Sequence, residues 1–407
     1  MQREMKYYHY IFVIVLAFCS CSNNNRFVVS TNDAITIDID NAEQHDSINM
    51  SCFLGKPKVI ILETKPECPI SRISSLEFFN NQIYVLDARA QSLYVFDVNG
   101  NYLNKIGKRG KGKNEYIELS DFSIDRKDSI LYMWDAVGKI LKYCLKTNSF
   151  DKQLKVKRDG YLSSNVQYSN GKIFLDRTSA KLDYKNYALR EIDTLSGKQT
   201  ASYLYVDEFN RGWNMPLWLA HSNFYSKNTE EPKFAEMFSD TIFSISQNGI
   251  LPAYIMKSKD FVTVSDVAGV MEKCKEDFAY DFNELERKNK VYQFSRLVEF
   301  GNMMSIQYLK GSDRLYLLYN KDTKKAIKTE MLINDYVCDG NPITMDFCYS
   351  DENGVVSLLR PEFISYFVDN VVAKGMLKTD IDNYESLKNL TIDSNPVLFY
   401  HCLNIVE

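Results

Sequence analysis

Between Gly107 and Tyr116 the chain reads GKRGKGKNEY. From Gly107 onward this matches the G-x-x-x-x-G-K spacing of a phosphate-binding loop, but Asn114 stands where a magnesium-holding Ser or Thr is required. Such a loop also needs a strand before it and a helix after it, because the helix N-terminus completes the phosphate cradle. The strand is present as NYLNKIG, whereas the following EYIELSDFSID reads as a turn into another strand. Nucleotide hydrolysis is therefore rejected. The glycines fit a tight crossing that demands positive φ. Lys108, Arg109, Lys111 and Lys113 then form a solvated basic face. The functional alternative is an anionic ligand met by Arg109 and Lys111, since clustered charge attracts such groups.

A second stretch, NRGWNMPLWLAHSNFY (Asn210 to Tyr225), gathers Trp213 and Trp218 with Arg211, Asn214 and His221. An indole offers a flat apolar face and a polar N–H, which suits a sugar ring or another amphipathic ligand. The competing reading is core packing beneath a long connection. We expect a ligand site at Trp213, Trp218, Arg211 and Asn214, with a glycan or peptide as its occupant. No nucleophile elbow, zinc-protease helix or spaced carboxylate couple is visible. His45, His221 and His401 lie far apart, so no His-based metal centre is expected. Asp87, Asp135, Asp176 and Asp240 recur at strand ends, where turn hydrogen bonding explains them. A calcium ion held by Asp, Asn and Glu in a central channel is the alternative, and would belong to a hydrolase or lactonase-like enzyme.

These residues sit in a chain of 407 residues with net charge −4, which lacks the basic balance of a general nucleic-acid binder. Arg3 and Lys6 precede the apolar run IFVIVLAF, too short to span a bilayer and suited to a signal peptide. The run ends in CSCSNNN. Cys21 follows the small Ser20 and is the expected lipidated residue; Cys19, behind the bulky Phe18, is the other candidate. The expected address is the cell envelope, anchored to the outer membrane on its periplasmic face. The seven later cysteines include no C-x-x-C, so neither a disulfide framework nor a zinc site is signalled.

The positioning elements repeat. NNQIYVLDARAQSLYVFDVNGNYLNKIG (Asn80 to Gly107) holds apolar runs at Ile83–Leu86 and Leu93–Phe96 and a turn at Asn99-Gly100. KDSILYMWDAVGKILKYCLKTNSFDKQLKV returns the pattern, with Asp135 for Asp87 and Tyr143 for Phe96. Weaker echoes are NGKIFLD, SDTIFSISQNGILPAYIM and SDRLYLLYNKDTKKAIKTEML. A unit of about 45 residues with four short strands is the signature of a propeller blade. One blade cannot bury both faces, so blades stack around an axis. An amphipathic run near 264–290 carries Val267, Val270, Met271, Cys274, Phe278 and Leu285 at helical spacing, with a Thr263/Asp266 capping box. We read it as a helical insertion between late blades, packed on its own domain; docking of an envelope protein is its functional alternative.

The leader, RISSLEFFNNQIYVLD, GKRGKGKNEYIELSDFSID and the terminal NPVLFYHCLN together resemble the six-bladed β-propeller lipoproteins of Gram-negative bacteria, related to NHL- and TolB-like propellers. Lys113-Asn114 departs from the Pro-Gly of that family. The resemblance implies an all-β, six-bladed fold and no reaction. The expected organisation is a signal peptide at 1–20, a tether and N-terminal segment at 21–57, and a propeller at 58–407. Ring closure is expected to pair Lys58–Glu63 with Pro396–Asn404. The expected function is non-catalytic binding or scaffolding in the envelope.

Overall fold

The computed structural model describes residues 34–158, 162–177, 187–215, 223–277, 282–339 and 343–403. Three strands precede the first complete blade: β1 (Ile35–Asp38), β2 (Glu43–Asn49) and β3 (Leu54–Ile61). Blade 1 is β4 (Ser75–Phe79), β5 (Gln82–Asp87), β6 (Ser92–Asp97) and β7 (Tyr102–Ile106). The short parallel pair β8 (Lys108–Arg109) and β9 (Glu115–Tyr116) follows. Blade 2 is β10 (Leu119–Asp125), β11 (Ile130–Asp135), β12 (Lys139–Cys144) and β13 (Ser149–Lys155). Blade 3 is β14 (Val166–Ser169), β15 (Lys172–Asp176), β16 (Tyr187–Asp193) and β17 (Gln199–Tyr205), then the single turn α1 (Val206–Phe209).

Blade 4 contains β18 (Phe224–Tyr225), β19 (Lys233–Phe234), β20 (Thr241–Ser246) and β21 (Gly249–Lys257), with β1 as a fifth, parallel edge strand. The helices α2 (Val264–Asp277) and α3 (Asn283–Arg287) lead to blade 5. It comprises β22 (Val291–Phe300), β23 (Met303–Lys310), β24 (Asp313–Asn320) and β25 (Ala326–Ile333), again with a parallel fifth strand, β2. Blade 6 starts with β26 (Asp346–Ser350) and β27 (Gly354–Leu359). After α4 (Pro361–Phe367), a π-helical turn (Val368–Val372) and α5 (Tyr384–Lys388), β28 (Val397–Leu403) resumes it and pairs antiparallel with β3. The fold is a six-bladed β-propeller, as the repeat predicts. Its ring is closed by β3 and β28, the two strands expected to do so.

The burial patterns explain why each strand lies where it does. The second strand of blade 1, QIYVLD, is buried along nearly its whole length because other blades cover both of its faces. The outermost strand, YLNKI, has its Leu and Lys exposed. Asn80 and Asn81 take positive φ of 49° and 57° between β4 and β5, the geometry of a two-residue hairpin turn. At the predicted Asn99-Gly100 turn, Gly100 has φ 91°, and a Cβ built there would lie 2.2 Å from the Ile61 carbonyl oxygen. That glycine lets the turn of blade 1 seat against the closing strand of blade 6.

The expected tether at 21–57 holds structure in its described part. Residues 35–49 supply the edge strands of blades 4 and 5, and β3 begins at Leu54. ITID and EQHDSIN escape a hydrophobic scan because an outermost strand presents much of its length to water. The helical insertion is present, and its capping box is reciprocal. Thr263 N donates to Asp266 Oδ2 at 2.9 Å, and Asp266 N donates to Thr263 Oγ1 at 3.2 Å. Val267, Val270, Cys274 and Leu285 are buried in the core shared with blades 4 and 5, so the stripe packs on its own domain. Phe278 lies outside the described residues. A second helical insertion, 361–388, interrupts blade 6 between β27 and β28 and has no counterpart in the sequence reading. No described helix is long and apolar enough to cross a membrane.

Candidate binding funnel

In blades 1 to 3 the four strands run outward from the axis in chain order; blades 4 and 5 repeat this with β1 and β2 added at the outer edge, and blade 6 has the early strand β3 as its outermost strand. The connections between blades, and the turns between second and third strands, therefore emerge at one end of the ring. The glycine-rich turn 107–116, the described residues 210–215 and both helical insertions belong to this end. The first strands of the blades surround the axis, with β10 against β14, β18 against β22, and β22 and β4 against β26.

The opposite end is closed by a plug. After β18 the chain turns inward, and Lys227 Nζ reaches blade 2, donating to Asp121 Oδ2 at 2.8 Å and to the Phe122 carbonyl at 2.7 Å. Asn228 Nδ2 donates to the Ser350 carbonyl of blade 6 at 2.9 Å and to Tyr349 Oη at 3.2 Å. Gln167 Nε2 of blade 3 donates to the Lys227 carbonyl at 3.0 Å. Two adjacent residues from blade 4 thus bond blades 2, 3 and 6, which requires the segment to cross the channel. The channel becomes a blind funnel of about 530 Å³, floored by Ser226, Lys227 and Asn228 and opening past Ser71–Ser74, Arg89 and Arg360.

Two β-bulges shape its wall. The register of β22 slips between Ser295 and Val298, and Arg296 takes φ 51° there. In β26 it slips between Phe347 and Tyr349, leaving Cys348 as the extra residue. A bulge re-aims a side chain, and here both residues line the funnel. Burial pushes the Cys348 thiol up to about 12, far from the range of an activated nucleophile.

The carboxylates in the funnel lining, Glu77 and Glu362, and Asp346 beside it have cationic partners. Glu77 Oε2 accepts from Arg126 Nη2 at 2.7 Å; burial raises its pKa against the pull of Arg126. Asp346 Oδ1 accepts from Gln307 Nε2 at 2.7 Å and from the Tyr316 hydroxyl. Its Oδ2 lies 3.4 Å from Arg296 Nη1 and 3.6 Å from Arg360 Nη2. Burial alone would raise the Asp346 pKa, but Arg296, Tyr316, Arg360 and Gln307 together hold it low. Glu362 Oε1 is 3.3 Å from Arg360 Nη1, whose guanidinium stacks 4.7 Å over the Phe363 ring. Among the described residues, no group of three or more His, Cys, Asp or Glu stands ready to hold a metal ion.

Those sequence-predicted ligand residues that are described lie elsewhere on the mouth end. Trp213 is 1% exposed, packs edge-on against Phe238 at 5.0 Å, and accepts a bond from Arg177 Nη2 on its carbonyl at 3.0 Å. It is a core residue, which corrects the ligand-stacking expectation. Arg211 is held by Asp240 Oδ2 at 2.8 Å and lies 4.4 Å over the Phe261 ring, beside a separate open cavity bounded by Asp38 and Asp40. Asn214 is half-buried, and its Oδ1 has no hydrogen-bond partner among the described residues. Trp218, His221 and Cys21 lie outside the described residues.

Arg109 and Lys111 are exposed on the glycine-rich turn, which is closed by Gly110 N donating to the Tyr116 carbonyl and Gly112 N donating to Glu115 Oε2, both at 2.8 Å. Strand β10 follows where a phosphate loop would have a helix. The recurring aspartates are hydrogen-bond anchors at strand ends. Asp87 Oδ2 accepts from Ser71 N and Arg72 N, Asp135 from Ile117 N and Glu118 N, and Asp176 Oδ1 from Ser164 N and Asn165 N. Asp240 instead pairs with Arg211. No disulfide forms among the seven described cysteines.

Arg72, Arg89, Arg296 and Arg360, all in the funnel, were missed because no local motif marks them. A strand assignment could have found three of them. Arg72 precedes the first strand of blade 1, Arg89 lies in its second turn, and Arg360 follows β27, so all three map to the same end.

Fold and site together define a six-bladed propeller with a blind, basic funnel on its axis. The chain belongs to the family described as Domain of unknown function (DUF4934), whose model matches residues 34–401. In structure it is similar to a Bacteroides fragilis protein named "Putative exported protein", with TM-score 0.68 and 18% identity, covering 91% of this chain and 99% of that one. A member of the DUF4221 family from Bacteroides vulgatus matches with TM-score 0.47 and 10% identity over 86% of this chain and 97% of that one. No curated protein matches the chain in sequence.

Proposed function

We propose that this protein is a non-catalytic binding propeller of the bacterial cell envelope, exported by its N-terminal leader, lipid-anchored through Cys21, and binding its ligand in the axial funnel. The observation that carries the reading is the plug. Lys227 and Asn228 close one end of the channel and leave a one-ended cavity of about 530 Å³, within the usual range for small-molecule sites. The wall supports binding over chemistry, because Glu77 in it and Asp346 beside it are engaged by arginines and Cys348 is held as a neutral thiol. The leader supports export, as does the name of the B. fragilis protein with the same fold. The burial of Trp213 removes the stacking argument for a glycan, so the ligand class is argued from the funnel alone.

The test is a thermal-shift panel of sugars, amino acids, short peptides and lactones, with and without calcium, on the wild type and on Ser75→Trp, whose indole would fill the funnel. Ligands that stabilise the wild type and not Ser75→Trp support the reading. Hits indifferent to that substitution overturn the site. Turnover of a lactone that requires calcium would overturn the non-catalytic assignment.

A further inference from the structure

We infer that the funnel selects a small anionic ligand and holds its carboxylate, sulfate or phosphate group against the guanidinium groups of Arg296, Arg360 and Arg89. This rests on the funnel being a binding site and adds the chemistry of what it binds.

The charges are unevenly distributed. Arg72, Arg89, Lys227, Arg296 and Arg360 line the funnel, against Glu77 and Glu362, in a protein whose net charge is −4. Glu77 is satisfied by Arg126 from outside the lining, and Lys227 is committed to Asp121 in the floor. Near the mouth, Arg296 is paired with Asp346, and Arg360 with Asp346 and Glu362.

The geometry at Asp346 is specific. Two guanidinium groups approach one carboxylate oxygen, at 3.4 and 3.6 Å, yet that oxygen has no hydrogen-bond partner. Asp346 therefore restrains Arg296 and Arg360 by charge without consuming their N–H donors. A guanidinium presents several coplanar donors whose fork matches the oxygens of a carboxylate or phosphate. Arg296 is pointed inward by its bulge, and Arg360 is steadied on the Phe363 ring, so part of the ordering cost of binding is met before a ligand arrives. Leu76, Leu297, Val298, Phe347 and Leu358 supply the apolar wall, where reduced solvent screening strengthens a charge-assisted contact. Arg89 is exposed at the rim and would draw the anion inward.

The test is calorimetric titration of the purified protein with sulfate, phosphate, citrate and glucuronate, and with glucose as the uncharged counterpart of glucuronate. At least one anion should bind and glucose should not, with affinity falling as salt is raised. Arg360→Gln and Arg89→Gln should each weaken that binding by about tenfold or more, and Arg360→Lys should recover only part of it. Arg89 is exposed, so its variant tests the idea without risk to the fold. Equal binding of glucose and glucuronate, binding untouched by both glutamine variants, or no binding of any anion would overturn the inference. Neutral ligands that are lost in Ser75→Trp would overturn the anion selectivity while leaving the funnel as the binding site. Anion binding retained in Ser75→Trp would overturn both.

Discussion

The side chain of Asn395 accepts a hydrogen bond from the backbone N–H of Ile70 at 2.9 Å, across 325 positions of sequence. Its Nδ2 donates to the carbonyls of Glu63 at 2.7 Å and Cys68 at 2.9 Å, and the residue is only 3% exposed. One buried amide thus ties the approach to the last strand to the segment that leads out of the closing strand.

Asn395→Ala should cost about 2–4 kcal/mol, because it leaves the Ile70 N–H and the Cys68 carbonyl without their Asn395 partner and the Glu63 carbonyl with only the Cys68 thiol. Urea melts would measure it. Removal of residues 395–407 should do more, since it strips β28 from both β27 and β3 and reopens the ring. An undiminished melting temperature in the truncated protein would contradict closure by this blade.

Gly100→Ala and Gly249→Ala form a matched pair. Both glycines have positive φ, 91° and 123°, but only Gly100 has a neighbour in the way, the Ile61 oxygen 2.2 Å from a built Cβ. Both variants should lose about 1 kcal/mol or more through backbone strain, with a further loss for Gly100 alone. Equal losses would mean that the turn and the closing strand yield to each other.

His401 should make the protein sensitive to mild acid. It is buried on β28, with Ser357 Oγ 3.1 Å and Asn334 Nδ2 3.3 Å from Nε2, and burial lowers its pKa to about 4. An unfolded histidine takes up its proton near pH 6.5, so its contribution is intact above that pH. As pH falls from 6.5 to 4 the unfolded state binds the proton first, and stability drops by about 3 kcal/mol before levelling off. His401→Gln should remove that part of the slope in denaturant melts taken across this range.

Lys227→Met should release the plug. It leaves the Asp121 carboxylate, 1% exposed, without its buried cation, a change that costs about 3–5 kcal/mol in other proteins. Hydrogen exchange at 226–230 should accelerate. Adding Asp121→Asn should recover part of the loss, and a double variant as unstable as the sum of the singles would refute the coupling.

The sequence was informative wherever structure is written in local pattern. The strands of blades 1 and 2 show as apolar runs broken by turn residues, and the helical insertion between blades 4 and 5 shows as a capping box with a helical stripe. The edge strands 35–38 and 43–49 do not show, because their partners β21 and β25 lie some 200 to 300 positions away and their outer surfaces face water. Trp213 was misread for the complementary reason. A tryptophan among polar residues looks like a ligand platform until Phe238 and the rest of the blade 4 core cover it.

By itself, the sequence determined the repeat, the strand-rich class and the turn chemistry, all of which depend on propensities within a few residues, and it marked the two closing strands by their apolar runs. The tertiary structure alone decided the funnel. Arg296 and Cys348 are aimed inward by bulges, Arg360 is placed by the exit from β27, and Lys227 becomes a floor only because Asp121 waits 106 positions earlier, two blades away around the channel. Ring closure converts those distant positions into neighbours, and no local period encodes which side chains meet at the axis.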